Sequence, residues 1–194
     1  DVQMAMSMAP GATILVYEGN NIDDILNKIA DDDIAKQVST SGGYYPASAM
    51  LPNIVSEFSA QGQSFYAASG DNGAYTNAIF ETTNILIYQP TTYPNMTAVG
   101  GTVMTLAQHG GPWVSETAWS GSGGGWDPDV AIPSYQQGIS MTANQGSTQY
   151  RNVPDISMQA VTLYSLRNNG ILVPTSGTSA SGPLMAGFTA LVHQ

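Results

Sequence analysis

A chain of 194 residues with 42% hydrophobic residues is long enough to bury one sizeable core and short for two. Fourteen acidic residues stand against four basic ones and only 9% of the chain is charged, which argues against nucleic acid and anionic membrane surfaces as partners. There is no cysteine, so disulfide frameworks and thiolate metal sites are excluded, and no apolar run approaches the roughly 18 residues of a membrane span. Scarce charge also suits an acidic medium. When carboxylates are protonated, a chain with few lysines and arginines gathers little net positive charge and escapes much self-repulsion. The same composition fits plain solubility at neutral pH, and the richness in Gly, Tyr and small polar residues leans toward an extracellular setting.

In chain order, residues 1–9 are helix-compatible and stop at Pro10-Gly11, after which Ala12 to Glu18 has the apolar, β-branched character of a buried strand. Asn20 to Asp33 follows as an amphipathic helix with Ile22, Ile25, Leu26 and Ile29 on one face. Its aspartates, Asp23, Asp24, Asp31, Asp32 and Asp33, read as a solvated face rather than a metal cluster. Gln37 to Ser41 is expected as a strand, Ala47 to Gln61 as a helix and Ser64 to Ser69 as a strand. This alternation predicts a parallel sheet covered on both faces. Met96 to Met104 reads as strands interrupted at Gly100-Gly101, and Ser120 to Trp126 as a glycine- and serine-rich loop of the kind that carries binding functions. Val153 to Ala160 and Ile171 to Thr175 read as strands, and Ser179 to Val192 as a closing helix. Asn95-Met96-Thr97 is a glycosylation sequon, meaningful only in a eukaryotic secretory setting.

The sharpest chemical signal is Ser176-Gly177-Thr178-Ser179-Ala180-Ser181-Gly182-Pro183, at a junction between an apolar strand and an apolar helix. A hydroxyl there meets the positive end of the helix, where free N–H groups can bind an oxyanion; simple helix capping is the competing explanation. Gly177 permits a turn that a side chain would hinder. Pro183 is expected to be tolerated because a first helical turn has no N–H bonds to lose. Two histidines are available as bases. His193 falls at the end of the last helix and His109 in a glycine-rich loop, and neither has the helix entry that would aim an imidazole at Ser179. Asp71, in Ser69-Gly70-Asp71-Asn72-Gly73, fits either a turn-stabilising aspartate or a site carboxyl.

Gly177-Thr178-Ser179-Ala180-Ser181-Gly182-Pro183 resembles the nucleophile motif of the subtilase clan, and the wider pattern resembles its sedolisins, the serine-carboxyl peptidases. Asp1 opens a segment similar to the carboxylate helix of that family and the Ala9-Pro10-Gly11-Ala12 turn after it. Further similarities are Ala68 to Ala74, Ala98 to Thr102, Ser122 to Gly125 and Val153 to Ser157. The resemblance implies an α/β, subtilisin-like three-layer domain with a mainly parallel central sheet, in which 1–194 forms a single peptidase catalytic domain, incomplete at both ends.

It further implies an acid-acting endopeptidase that hydrolyses peptide bonds through an acyl-enzyme on Ser179. The base would be a glutamate one helical turn before Asp1, oriented and tuned by Asp1; two carboxyls at close range share a proton because both cannot ionise cheaply. Asp71, protonated, would donate to the oxyanion beside the Ser179 N–H, which would confine activity to acid. Calcium is implied as well, with ligands beyond residue 194, since the chain ends 15 residues after Ser179. The implied partners are a polypeptide substrate, held by main-chain pairing at an edge such as Ser120 to Gly125, and the protein's own propeptide or a companion chain. The implied setting is secreted, or lysosomal in an animal. The alternatives are a tripeptidyl-peptidase of the same family and a non-catalytic fragment of such a peptidase.

Overall fold

The computed structural model describes residues 1–43, 48–75, 90–167 and 169–194. Its elements are α1 (Val2–Met8), α2 (Ile22–Asp32), β1 (Gln37–Thr40), α3 (Leu51–Ala60), β2 (Ser64–Ala68), β3 (Thr97–Leu106) and β4 (Trp113–Ala118), then β5 (Gly125–Ala131), β6 (Tyr150–Val153), β7 (Ile156–Gln159), β8 (Leu163–Arg167), β9 (Ile171–Thr175) and α4 (Thr178–Val192). β1, β2, β3 and β7 form a parallel sheet. β3 is long enough to hold several neighbours. Thr97 to Val99 lie beside β2, Val99 to Thr102 beside β7, and Thr102 to Leu106 pair antiparallel with β4. Two separate hairpin-like pairs, β5 with β6 and β8 with β9, complete the strands.

Layering follows from residue alternation on β2, whose central residues are buried on both faces. Phe65 and Ala67 face α2 and α3, packing with Leu26, Ile29, Leu51, Ile54, Val55 and Phe58. Tyr66 packs with Val99 and with Ala186 of α4. Helices thus cover both faces, which is the three-layer α/β arrangement expected of alternating strands and helices. The α2 boundary is set chemically: the Asn21 side chain accepts the Asp23 N–H at 2.9 Å, capping the first turn. The expected α3 start at Ala47 lies outside the described residues, and the helix is seen from Leu51.

Two expectations are corrected. Ala12 to Glu18 forms no strand, and Leu15 and Val16 are 43% and 61% exposed. β-branched composition favours a pleated, paired backbone, yet among the described residues no strand pairs with this segment. The glycines at 100 and 101 do not interrupt β3 either. They allow close approach: a Cβ at Gly100 would lie 2.7 Å from the Pro154 ring and from Ser157 Oγ, and one at Gly101 would lie 2.6 Å from Ala160 Cβ.

Among the described residues no helix is long and apolar enough to cross a membrane.

Candidate active site

The site forms where the carboxyl ends of β1 and β2 meet the start of α4, the end at which open α/β sheets gather functional groups. Gly177 has φ 130°, a conformation that side chains disfavour, and it turns the chain from β9 into α4. Ser179 is the second residue of that helix and half-buried. Its N–H is therefore one of the first four without an intrahelical partner, and it points with the positive end of the helix dipole.

Asp71 follows β2 through Ser69 and Gly70 and is fastened to the residue preceding Ser179. Its Oδ1 accepts the Thr178 N–H at 2.7 Å and the Thr178 hydroxyl at 2.9 Å. The same hydroxyl accepts the Gly70 N–H at 3.0 Å. Oδ2 lies 2.7 Å from where a Cβ on Gly177 would sit, and nothing else among the described residues hydrogen-bonds to it. One oxygen is thus committed as an acceptor, and the other has no hydrogen-bond partner among the described residues.

Asp1 arrives from a different direction. It caps α1, its carbonyl accepting the Met4 and Ala5 N–H groups at 3.0 Å. Helix α1 lies close against α4 because Gly187 has no side chain; a Cβ there would meet the Ala5 carbonyl oxygen and Met8 Cβ at 2.9 Å. Asp1 Oδ2 accepts the Ser41 hydroxyl at 2.6 Å, and Ser41 Oγ is also 3.2 Å from the Ser179 carbonyl oxygen. Pro183 explains that second contact and corrects the expectation about it. Helix α4 begins at Thr178, so Pro183 lies beyond the first turn and is the residue whose N–H would have bonded the Ser179 carbonyl. The missing donor is replaced by Ser41, the residue that follows β1.

The structure therefore ties both expected carboxyls to the Ser179 turn, Asp71 directly through Thr178 and Asp1 through the Ser41 hydroxyl. Neither histidine joins them. His109 occupies the turn between β3 and β4 and is exposed. His193 caps the far end of α4, about 21 Å along the axis from Ser179, and its Nδ1 meets the Gln37 amide at 2.8 Å.

A cavity of about 970 Å³ lies on the other side of the Gly123 segment, walled by Gly123, Gly124, Tyr75, Tyr135, Met141 and Asn144 among others, with none of Asp71, Thr178 and Ser179 in its wall. Gly123 joins it to the Asp71 loop, its N–H donating to the Gly70 carbonyl at 2.7 Å and its carbonyl accepting the Ser69 hydroxyl at 2.8 Å. A Cβ at 123 would overlap the Ser69 carbonyl at 2.1 Å, so glycine is required by close main-chain packing. Gly124 pairs with Ala74 and Gly125 with Val153. Hence the main-chain groups of Gly123 to Gly125 are largely engaged within the protein, unlike the free edge expected of Ser120 to Gly125. Burial raises the Tyr75 and Tyr135 phenols above their ordinary range, so both stay neutral donors, to the carbonyls of Asn144 (2.9 Å) and Pro94 (3.0 Å).

Behind the cavity, Arg151 is fully buried and grips Asp155 with its two terminal guanidinium nitrogens, at 2.7 and 2.6 Å. Asp155 also accepts the Ala98 N–H at 2.8 Å and the Gln136 amide at 3.1 Å. A buried charge pair of this kind is a structural post; removing one partner strands the other at a cost of about 3–5 kcal/mol.

Ser41, Thr178 and Arg151 were not singled out by sequence. For Ser41 a signal existed, since it directly follows an expected strand end and precedes Gly42-Gly43. Among the described residues no group of three His, Cys, Asp or Glu side chains could hold a metal ion. The described residues therefore offer no cluster of such side chains for the implied calcium.

Comparison with known proteins agrees with this architecture. The model of the subtilase family matches residues 4–194. Sedolisin of Pseudomonas sp. (strain 101) is 29% identical across 98% of this chain and 37% of its own length. Kumamolisin of Bacillus sp. (strain MN-32) is 32% identical across 100% of this chain and 38% of its own. The structure of Pseudomonas sedolisin, a serine-carboxyl proteinase complexed with two molecules of pseudo-iodotyrostatin, superposes with a TM-score of 0.67 at 28% identity, covering 86% of this chain and 50% of that one. The chain thus spans half or less of each of these relatives, and it belongs to the subtilase family, on its sedolisin branch.

Proposed function

We propose that the protein is a secreted, acid-acting serine-carboxyl endopeptidase in which Ser179 attacks the scissile carbonyl and forms an acyl-enzyme. The observation that carries the reading is the anchoring of Asp71 to Thr178, the residue immediately before Ser179. Asp71 Oδ2, when protonated, donates to the developing oxyanion together with the Ser179 N–H. A carboxyl group donates only while it carries its proton. A glutamate one helical turn before Asp1 takes the Ser179 proton and returns it to the leaving amine, and Asp1 holds that glutamate in place. The substrate is a polypeptide, and the cavity beside Gly123 to Gly125 receives one of its side chains.

The test is Ser179→Ala in the complete protein, assayed on a denatured polypeptide at about pH 4. Hydrolysis should vanish while cooperative unfolding is preserved; retention of more than a few per cent of the activity would refute the assignment. Cleavage within a peptide blocked at its N-terminus separates an endopeptidase from a tripeptidyl-peptidase, which needs a free amine.

A further inference from the structure

The Ser41 hydroxyl has one proton and two acceptors in reach, Asp1 Oδ2 at 2.6 Å and the Ser179 carbonyl at 3.2 Å. Neither acceptor is incidental. Asp1 is the carboxyl assigned above to orient the base. The Ser179 carbonyl is the group that Pro183 leaves without its helical donor. We propose that Ser41 is a positioning residue that links the protonation state of Asp1 to the main chain of the nucleophile. This rests on the functional reading given above.

The two states differ in where one hydroxyl proton points. With Asp1 ionised, Ser41 donates to the carboxylate, the stronger acceptor, and the Ser179 carbonyl is left to solvent. With Asp1 protonated, its O–H donates to Ser41 Oγ and the Ser41 hydroxyl turns to the Ser179 carbonyl, completing a chain from carboxyl to helix start. No proton is gained or lost by Ser41 in either state. α1, β1 and α4 have no ionisable side chain and His193 lies past the far end of α4, so among the described residues the charged group that faces this turn besides Asp1 is Asp71, whose Oδ1 is held by Thr178. The glutamate assigned one turn upstream would be a further titrating neighbour. The hydroxyl therefore reads the shared proton of the base pair and sets the first turn of α4 accordingly.

The experiment compares Ser41→Ala, Ser41→Thr, Asp1→Ala and the Ser41→Ala/Asp1→Ala double variant in the complete protein, measuring kcat, KM and Tm at one acid pH. Ser41→Ala should lower kcat about 10- to 100-fold, the penalty of a slightly misplaced reacting group, with KM and Tm nearly unchanged. Threonine keeps the hydroxyl and should restore kcat to within about fivefold of the parent. In the Asp1→Ala background the serine change should cost less than about twofold more, because the link is already cut. The proposal is overturned if Ser41→Ala is harmless, if threonine fails to rescue, or if the two losses multiply as independent sites do. Full activity of Asp1→Ala would instead remove the underlying reading of Asp1, and the proposal with it.

Discussion

The two carboxylates at the start of α4 are held in opposite ways. Asp71 is clamped by the residue next to Ser179: two donors of Thr178 fix one oxygen, and the bare Gly177 leaves room for the other. Asp1 is held at one remove, through a single serine hydroxyl just past β1 and the lie of a short helix across Gly187. The first arm is rigid and local, so it suits a group whose oxygen must stay at one place. The second arm is long and has one proton to share, which suits a group whose partner changes its state.

The difference can be broken most severely at Asp71. Asp71→Ala should lower turnover roughly 10²- to 10³-fold, the usual loss for an oxyanion donor. Asp71→Asn has nearly the same shape and carries N–H donors at every pH, so it should retain more turnover and keep it further toward neutral pH. Rates from acid to neutral pH check both, and equal loss in the two variants would make Asp71 a turn residue only.

Gly177→Ala tests the local character of the clamp. The new Cβ meets Asp71 Oδ2 at 2.7 Å and must adopt φ 130°, so turnover should drop about 10- to 100-fold while the Asp1 arm is untouched. Turnover together with a thermal melt separates the site effect from backbone strain. The smallest effect lies away from both arms. The Lys28 ammonium, hydrogen-bonded at 2.5 Å, and then the Tyr17 hydroxyl hold the Asp32 carboxyl below its ordinary value of 3.8. A carboxylate with a depressed value contributes stability above the ordinary carboxylate range and loses it as pH falls through the folded value. Asp32→Asn should therefore lower Tm slightly at neutral pH and leave it unchanged near about pH 2, as melts at both pH values would show.

How much of this was legible in sequence depended on whether the deciding neighbour was local. Ile22, Leu26 and Ile29 announce α2 because a helix bonds to itself, and its buried face follows from spacing alone. Ala12 to Glu18 has strand composition, but a strand needs another strand, and composition does not say whether one is present. Gly100 and Gly101 read as breaks because the sequence does not reveal Pro154, Ser157 and Ala160 pressing on them. Ser179 was visible through its junction, and Asp71 through its loop. The partners that orient them, Thr178 and Ser41, are common small residues whose meaning appears only when β1, β2 and α4 are brought together. Pro183 was misread by a miscount of one turn, which only the observed start of α4 corrects.

The tightness around Gly101 also gives the molecule a built-in optical reporter. The Trp119 ring packs against Gly101 and Gly121, within 2.9 and 2.4 Å of where their Cβ atoms would be, and the Thr178 methyl group lies 3.4 Å from the Gly101 Cβ position. Of the other two indoles, Trp113 is 62% exposed on β4 and Trp126 stacks on Tyr150 at 5.4 Å. With Trp113 and Trp126 replaced by phenylalanine, all the indole emission would come from a ring wedged between two glycines and one residue removed from Thr178. Its wavelength and intensity would follow the packing of the first turn of α4, without any attached dye.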